Sequence, residues 1–512
     1  MAGSFQKSGE YLWNNDFEGR NLSLAAELDT IWQGQFTFGI QYANAERGFM
    51  RNNRQSTNPD NPGFLQPLDA RYPVAFGENL SGGGGNAFTP GPGSHWDKTK
   101  YYFDLGYSQP IGDTLAELKI YKNYEDRDEK SYSRAGVVAG YGDGALVLDR
   151  TVESDRSYGG VFTISKPLGE HEILVGVDHQ VLAYGDITIS SVDNTYNTTG
   201  FPGWVWGTTS YQPSQKGETW GYYLQDDWRI SDRLLLTAGL RYDRYHNQSI
   251  NGSTLPSLKD DAVTPRLTVS YDLTSDDKVT VAAYQAMRTP GMPETYWWAE
   301  GDTNGNPALK PEKSKALELT YRRNLPGSGF LRLAAYHYKI DDFILFRFDS
   351  GGFRGVYNLD RAVLQGASLD GRLELTDWLT GRANLTRQHS KKEGDAYDTA
   401  GLSGEIDYLP AWKGNLGAEI KLPWEMVLNA DLRYVGKREG IYSYSAGWPA
   451  VTNFKLMTLS SHTTLDLDLR IPVMNKGEIG LYVENLFDKK YEERLGYPMP
   501  GRMIGATFKI NF

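Results

Sequence analysis

Adjacent carboxylates, repeated imidazoles and glycine-rich loops are the features of this chain with the most obvious potential for chemistry. Asp226 and Asp227 lie side by side in "YYLQDDWRISDR" and could suggest general acid/base work. They sit in a strand-like alternation, where neighbours point to opposite faces and cannot serve one substrate. The expectation is that they line a hydrated wall. The 7 histidines are His95, His171, His179, His246, His337, His389 and His462. His171 and His179 share a strand, which at 3.3 Å per residue separates them by about 26 Å and excludes one shared metal ion. No histidine spacing matches a known ligand motif, so neither a metal site nor a cofactor is expected. "SGGGG" (81–85) lacks the Lys-Ser/Thr of a phosphate loop and reads as a loop tip. No catalytic set emerges, and the chain is not expected to be an enzyme.

The elements that carry these residues alternate with a period of two. "TLDLDLRI" sets Leu465, Leu467, Leu469 and Ile471 against Asp466, Asp468 and Arg470. "SLDGRLELT" sets Leu369, Leu373 and Leu375 against Asp370, Arg372 and Glu374, and "KALELTYRR" sets Leu317, Leu319 and Tyr321 against Glu318, Thr320 and Arg322. These segments run roughly 12 to 18 residues, well beyond the usual strand of a soluble protein. Long strands with one apolar and one charged face suit a large barrel with a wet lumen. Short turns recur at 30–34, 109–113, 166–170, 230–233, 273–277, 325–329, 375–378, 421–425 and 472–477. Longer loops separate them, the longest expected at 50–95, 190–216, 290–312 and 439–458. Short turns at one end and long loops at the other describe an antiparallel transmembrane β-barrel of about 20 strands. Trp228, Trp378 and Trp424 fall at the short-turn ends, where amphipathic rings prefer the bilayer interface.

Composition agrees. Aromatics make up 13% of 512 residues, Gly is 56 and Cys is 0, which favours strands and turns and removes disulfides and thiolate metal sites. A formal charge of -11 argues against a nucleic-acid partner. No apolar run reaches the roughly 18 residues of a transmembrane helix. "AGSFQKSG" after Met1 has no charged or apolar signal region, so a mature fragment or a misplaced start is expected.

On these residues the chain resembles the TonB-dependent outer-membrane receptors. The resemblance runs through 222–243, 264–296 and 306–322, and is most specific in "ENLFDKKYE", "PGR" and the closing strand ending in Phe512. It implies residues 1–512 as the β-barrel of such a receptor, with about 20 of the family's 22 strands and with the N-terminal plug and first hairpin missing. It implies residence in the Gram-negative outer membrane, an energising TonB protein acting through the plug, and a barrel-assembly machinery that reads a terminal signal at Phe508, Ile510 and Phe512. The expected ligand is a metal chelate, foremost a ferric siderophore, with cobalamin, haem and copper as alternatives. A plugless porin-like tube or an inactive remnant is the rival reading, and a soluble β-rich enzyme a distant one. The ligand candidates lie in the long loops: Tyr296, Trp297 and Trp298; Trp204 and Trp206; Arg51, Arg54 and Arg71. Aromatics give broad contact and Arg binds anions bidentately. The alternative for these loop aromatics is a core packed among the loops themselves.

Overall fold

Leu224 faces Val175 on one neighbouring strand and Leu240 on the other, and Leu224 and Leu240 are each about half exposed. Aliphatic side chains meeting in rows yet left uncovered are the mark of a sheet whose apolar face looks at lipid. The computed structural model describes residues 2–50, 52–76, 95–132, 146–185, 187–193, 205–211, 215–249, 256–295, 306–348, 354–394, 404–446, 451–473 and 477–510.

The chain begins with β1 (Ala2–Ser8), β2 (Phe17–Asp29), β3 (Gln35–Gly48), β4 (His95–Ile111), β5 (Thr114–Tyr132), β6 (Leu146–Asp155) and β7 (Tyr158–Leu168). It continues with β8 (His171–Ala183), β9 (Ile187–Asp193), β10 (Val205–Tyr211), β11 (Gln215–Ser231), β12 (Leu234–Ser249), β13 (Leu258–Asp272) and β14 (Asp277–Arg288). One helical turn, α1 (Met292–Thr295), precedes β15 (Glu312–Asn324), β16 (Phe330–Phe348), β17 (Arg354–Thr376), β18 (Leu379–Glu393), β19 (Trp412–Lys421) and β20 (Val427–Val435). Last come β21 (Arg438–Ala446), β22 (Val451–Leu459), β23 (His462–Val473), β24 (Gly477–Glu484), β25 (Glu492–Arg494), β26 (Tyr497–Pro498) and β27 (Met503–Ile510).

The main sheet has 23 strands, antiparallel throughout. Removing β6, β9 and β10, which form an extension over the outer half of β5, leaves a wall of 20 strands from β1 to β27. This is the strand number the alternation predicted. The short turns all join wall strands at one end. Gly112 and Gly169 take left-handed φ of 61° and 64° there, a conformation that costs other residues more. Among the described residues β1 ladders only to β2 and β27 only to β24. Among the described residues no ladder joins β27 to β1.

Two expected long loops also prove partly regular. β9 pairs with β10 within 190–216, and β21 pairs with β22 within 439–458. These strands are 7 to 9 residues long and lack the long apolar alternation of the wall.

Register sorts the two faces. Phe36, Tyr107, Leu118, Phe162, Val177, Tyr222, Tyr242 and Val263 are successive partners across eight strands. On the opposite face Arg241 bridges Asp178 (2.6 Å) and Asp243 (2.6 Å). It passes over Gly221, where a Cβ would come within 2.0 Å of the guanidinium. Glu318 likewise accepts from Tyr284 (2.8 Å) and Tyr338 (2.6 Å). At these positions the polar face is a bonded lumen lining rather than a row of isolated charges. Asp227 belongs to it, bonded by Thr237 and Gln225. Asp226 does not: it shares the outward face of Leu224 and Trp228 and meets His171 Nδ1 at 2.9 Å. The expectation that both line the hydrated wall holds for one only, because alternation divides them.

The aromatic edges of the belt are visible too. Trp228, Trp378 and Trp424 are exposed at the short-turn end. Trp220 lies on the same face of β11 as Trp228, about 26 Å along the strand, or about 20 Å of height at the usual barrel tilt. Each ring carries a stacked imidazole, His171 on Trp228 (5.2 Å) and His179 on Trp220 (4.1 Å).

Candidate functional site

The long-loop end forms a mouth, and the segment 52–76 lies at it. Asn53 fixes that segment by donating to the carbonyls of Asp69 (3.0 Å), Tyr72 (3.0 Å) and Pro73 (2.9 Å). Arg54, one of the expected ligand residues, is 4% exposed. Its guanidinium lies 3.9 Å from the Phe64 ring centroid and 4.4 Å from that of Phe76, a cation–π sandwich. Phe76 stacks on Tyr442 at 5.2 Å, so the sandwich docks against β21. Burial pushes the Arg54 guanidinium below its ordinary value, opposed by Glu492 and Tyr442. Burial also pushes the Glu492 carboxyl up. This is the packing of a loop core, and it gives Arg54 a holding role in the mouth. Arg71 is exposed and bound to Asp69 at 2.6 Å. Trp206 stands in β10 opposite Val192. Tyr296, Trp297, Trp298, Trp204 and Arg51 lie outside the described residues, as does Phe512. Phe508 is on the outward face of β27 and 67% exposed, and Ile510 ends that strand.

Beside this loop core a pocket of about 280 Å³ opens toward the lumen side of the mouth. Tyr11, Phe49, Met50, Trp96, Tyr497 and Met499 supply its apolar surface, and Arg47 and Arg127 its charge. Strand register builds it. Arg47 and Trp96 are direct partners on β3 and β4, and Arg127 lies 5.6 Å from the Trp96 ring. Arg127 is also within 3.2 Å of Glu129. Burial raises the Tyr11 phenol, partly offset by Arg47. A second, larger cleft of about 670 Å³ runs down the lumen wall. Arg332, Lys413, Arg433 and Arg438 line it together with Asp370 and Glu493. Arg433 pairs with Glu493 at 2.8 Å, and Arg438 donates to the Glu492 (2.7 Å) and Glu493 (3.1 Å) carbonyls. The 485–502 loop thus contributes to both cavities.

A concave, aromatic and cationic surface above a polar lumen can hold a bulky anion and present it to the lumen wall. Of these pocket residues the sequence marks only Met499, as a thioether near the loops that would suit copper. They sit near strand ends, and only the pairing of β3, β4 and β5 brings them together. The available signal was "HWDK" (95–98), a tryptophan flanked by charge where the apolar alternation of β4 stops.

Comparison with known proteins places the chain. The family described as "TonB dependent receptor-like, beta-barrel" matches residues 32–486. Among curated proteins, the metal-pseudopaline receptor CntO of Pseudomonas aeruginosa is 26% identical over 288 residues, covering 53% of this chain and 37% of the relative. The vitamin B12 transporter BtuB of Vibrio cholerae is 22% identical over 278 residues, covering 54% of this chain and 40% of the relative. The chain thus aligns with well under half the length of each of these curated relatives. Among solved structures, the copper transporter OprC superposes with a TM-score of 0.77 at 15% identity, covering 100% of this chain and 75% of that one. The ferripyoverdine receptor of Pseudomonas aeruginosa superposes with a TM-score of 0.75 at 14% identity, covering 99% and 67%. At these identities the superpositions speak to fold alone. The chain belongs to the TonB-dependent receptor-like β-barrel family, a family of Gram-negative outer-membrane receptors and transporters rather than enzymes.

Proposed function

We propose that this barrel is the wall and outer mouth of an uptake receptor for an anionic metal chelate, with a ferric siderophore as the ligand class. The observation that carries the reading is the mouth pocket, where Arg47 and Arg127 meet Trp96 and Tyr11. Siderophores present carboxylate, catecholate or hydroxamate oxygens around the ion. Two guanidiniums answer the charge, and aromatic rings supply contact area at low entropic cost. The cationic cleft along Arg332, Lys413 and Arg433 continues the same chemistry into the lumen. Transport would draw on the energising TonB protein through a plug, and insertion on the barrel-assembly machinery.

One observation favours a second ligand. Met50 and Met499, distant in sequence, line the same pocket, and thioethers suit soft copper. A titration of the detergent-folded chain against ferric siderophores of each chelating class, cyanocobalamin, haem and copper separates the readings. Saturable binding of a ferric chelate, and not of cobalamin or copper alone, supports the proposal. Preference for copper favours the second reading, and preference for cobalamin refutes both.

A further inference from the structure

The outward face of the mouth carries an arrangement that packing alone does not account for. Glu46 on β3, Asp97 on β4 and Asp128 on β5 are direct partners in one row across three strands. Alternation places them on the face of Tyr42, Tyr101 and Tyr124, beyond the apolar belt. Like charges directly opposite in a sheet are destabilising. Thr151 donates to one of these carboxylates, Asp128, at 2.8 Å. His95 lies one register step further, opposite Lys130, with its ring stacked on Tyr132 at 6.0 Å.

The donor atoms of Glu46, His95 and Asp97 all lie within 4.8 Å of one another. One oxygen of Asp97, Oδ1, is fully enclosed and accepts no hydrogen bond. An enclosed carboxylate oxygen without a donor is costly unless a cation meets it. From this geometry we infer that Glu46, His95 and Asp97 form a binding site for a divalent transition ion of the zinc class. Ligand bonds of about 2.0–2.2 Å need donors somewhat closer together, and the exposed Glu46 side chain is free to make that adjustment. Imidazole with two carboxylates suits Zn²⁺ and its neighbours better than Ca²⁺, which takes six or more oxygens. Three protein ligands leave a position open for water.

The site spans the stems of one loop. Glu46 precedes the 49–94 segment and His95 and Asp97 follow it, so an ion would staple the base of the insertion that carries the Arg54 loop core.

Calorimetric titration of the chelator-stripped, detergent-folded chain with Zn²⁺ tests this, with heat-modifiable migration confirming that each variant remains folded. The expected result is one site per chain, weakened at least about tenfold in His95→Ala and again in Glu46→Gln/Asp97→Asn. Absence of Zn²⁺ binding by the unaltered chain would overturn the inference. Equal affinity in the folded His95→Ala variant would also overturn it, as would Ca²⁺ competing as well as Zn²⁺.

Discussion

Lys455 Nζ lies 2.6 Å from Asp60 Oδ1, joining positions 395 residues apart in sequence. The pair fastens the 52–76 loop to the β21–β22 hairpin across the mouth, seconded by Tyr442 donating to the Thr57 carbonyl at 2.7 Å. Both charged groups are exposed, so the clasp positions the loop more than it stabilises the fold. Lys455→Ala should speed proteolytic cleavage within 52–76 by less than about fivefold and leave barrel unfolding unchanged. A fall in barrel stability would mean that the loop is part of the folded core.

The same clasp has a defined pH window. The bond from Lys455 holds the Asp60 carboxyl below its ordinary value of 3.8. Its contribution is complete above that value and is lost as pH falls through the depressed one. The bond to Asp60 raises Lys455 above 10.5, so its contribution is complete below that value and is lost as pH rises through the raised one. Hydrogen exchange in 52–76 should therefore show no clasp-dependent step between about pH 4 and pH 10. Opening should appear only outside that range, and a transition near neutrality would show that another group governs the loop.

Within the lumen, Arg241 serves Asp178 and Asp243 together. Arg241→Ala leaves two carboxylates facing each other without a donor and should cost about 1–3 kcal/mol in denaturant unfolding. Gly221→Ala should also destabilise, because its Cβ would fall 2.0 Å from the guanidinium. Full stability in both variants would show that the network is solvated rather than structural.

The two faces of β11 offer an internal control. Leu224→Arg places a charge in the outward belt and should cost about 2–4 kcal/mol near mid-bilayer, read as a lower yield of folding into lipid vesicles. Gln225→Arg, one position along on the lumen face, should fold as well as the unaltered chain. Equal behaviour of the two would refute the face assignment.

Much of the architecture was legible in the sequence because a lipid-embedded strand is written twice, once in its alternation and once in the turn that ends it. "KALELTYRR" shows this: Leu317 and Leu319 are outward and half exposed, while Glu318 is in the lumen with its tyrosines. The hairpins β9–β10 and β21–β22 look like loops in sequence because they lack the long apolar alternation that marks the wall strands. Site residues were harder to see. Arg54 looked like a ligand contact because an arginine near aromatics reads alike whether it binds an anion or anchors a loop. Arg47, Trp96 and Arg127, and likewise Glu46, His95 and Asp97, are assembled by register between strands separated by long insertions, and no local spacing encodes register.

If the cationic, aromatic mouth pocket receives an anionic metal chelate, the dissociation constant for a ferric siderophore should separate the folded chain from its Arg47→Ala/Arg127→Ala variant. Charge-assisted contacts contribute about 1.5–3 kcal/mol each, so loss of both should weaken binding by at least about a hundredfold. Unchanged ferric-chelate affinity in a correctly folded variant would show that the chelate does not bind at Arg47 and Arg127.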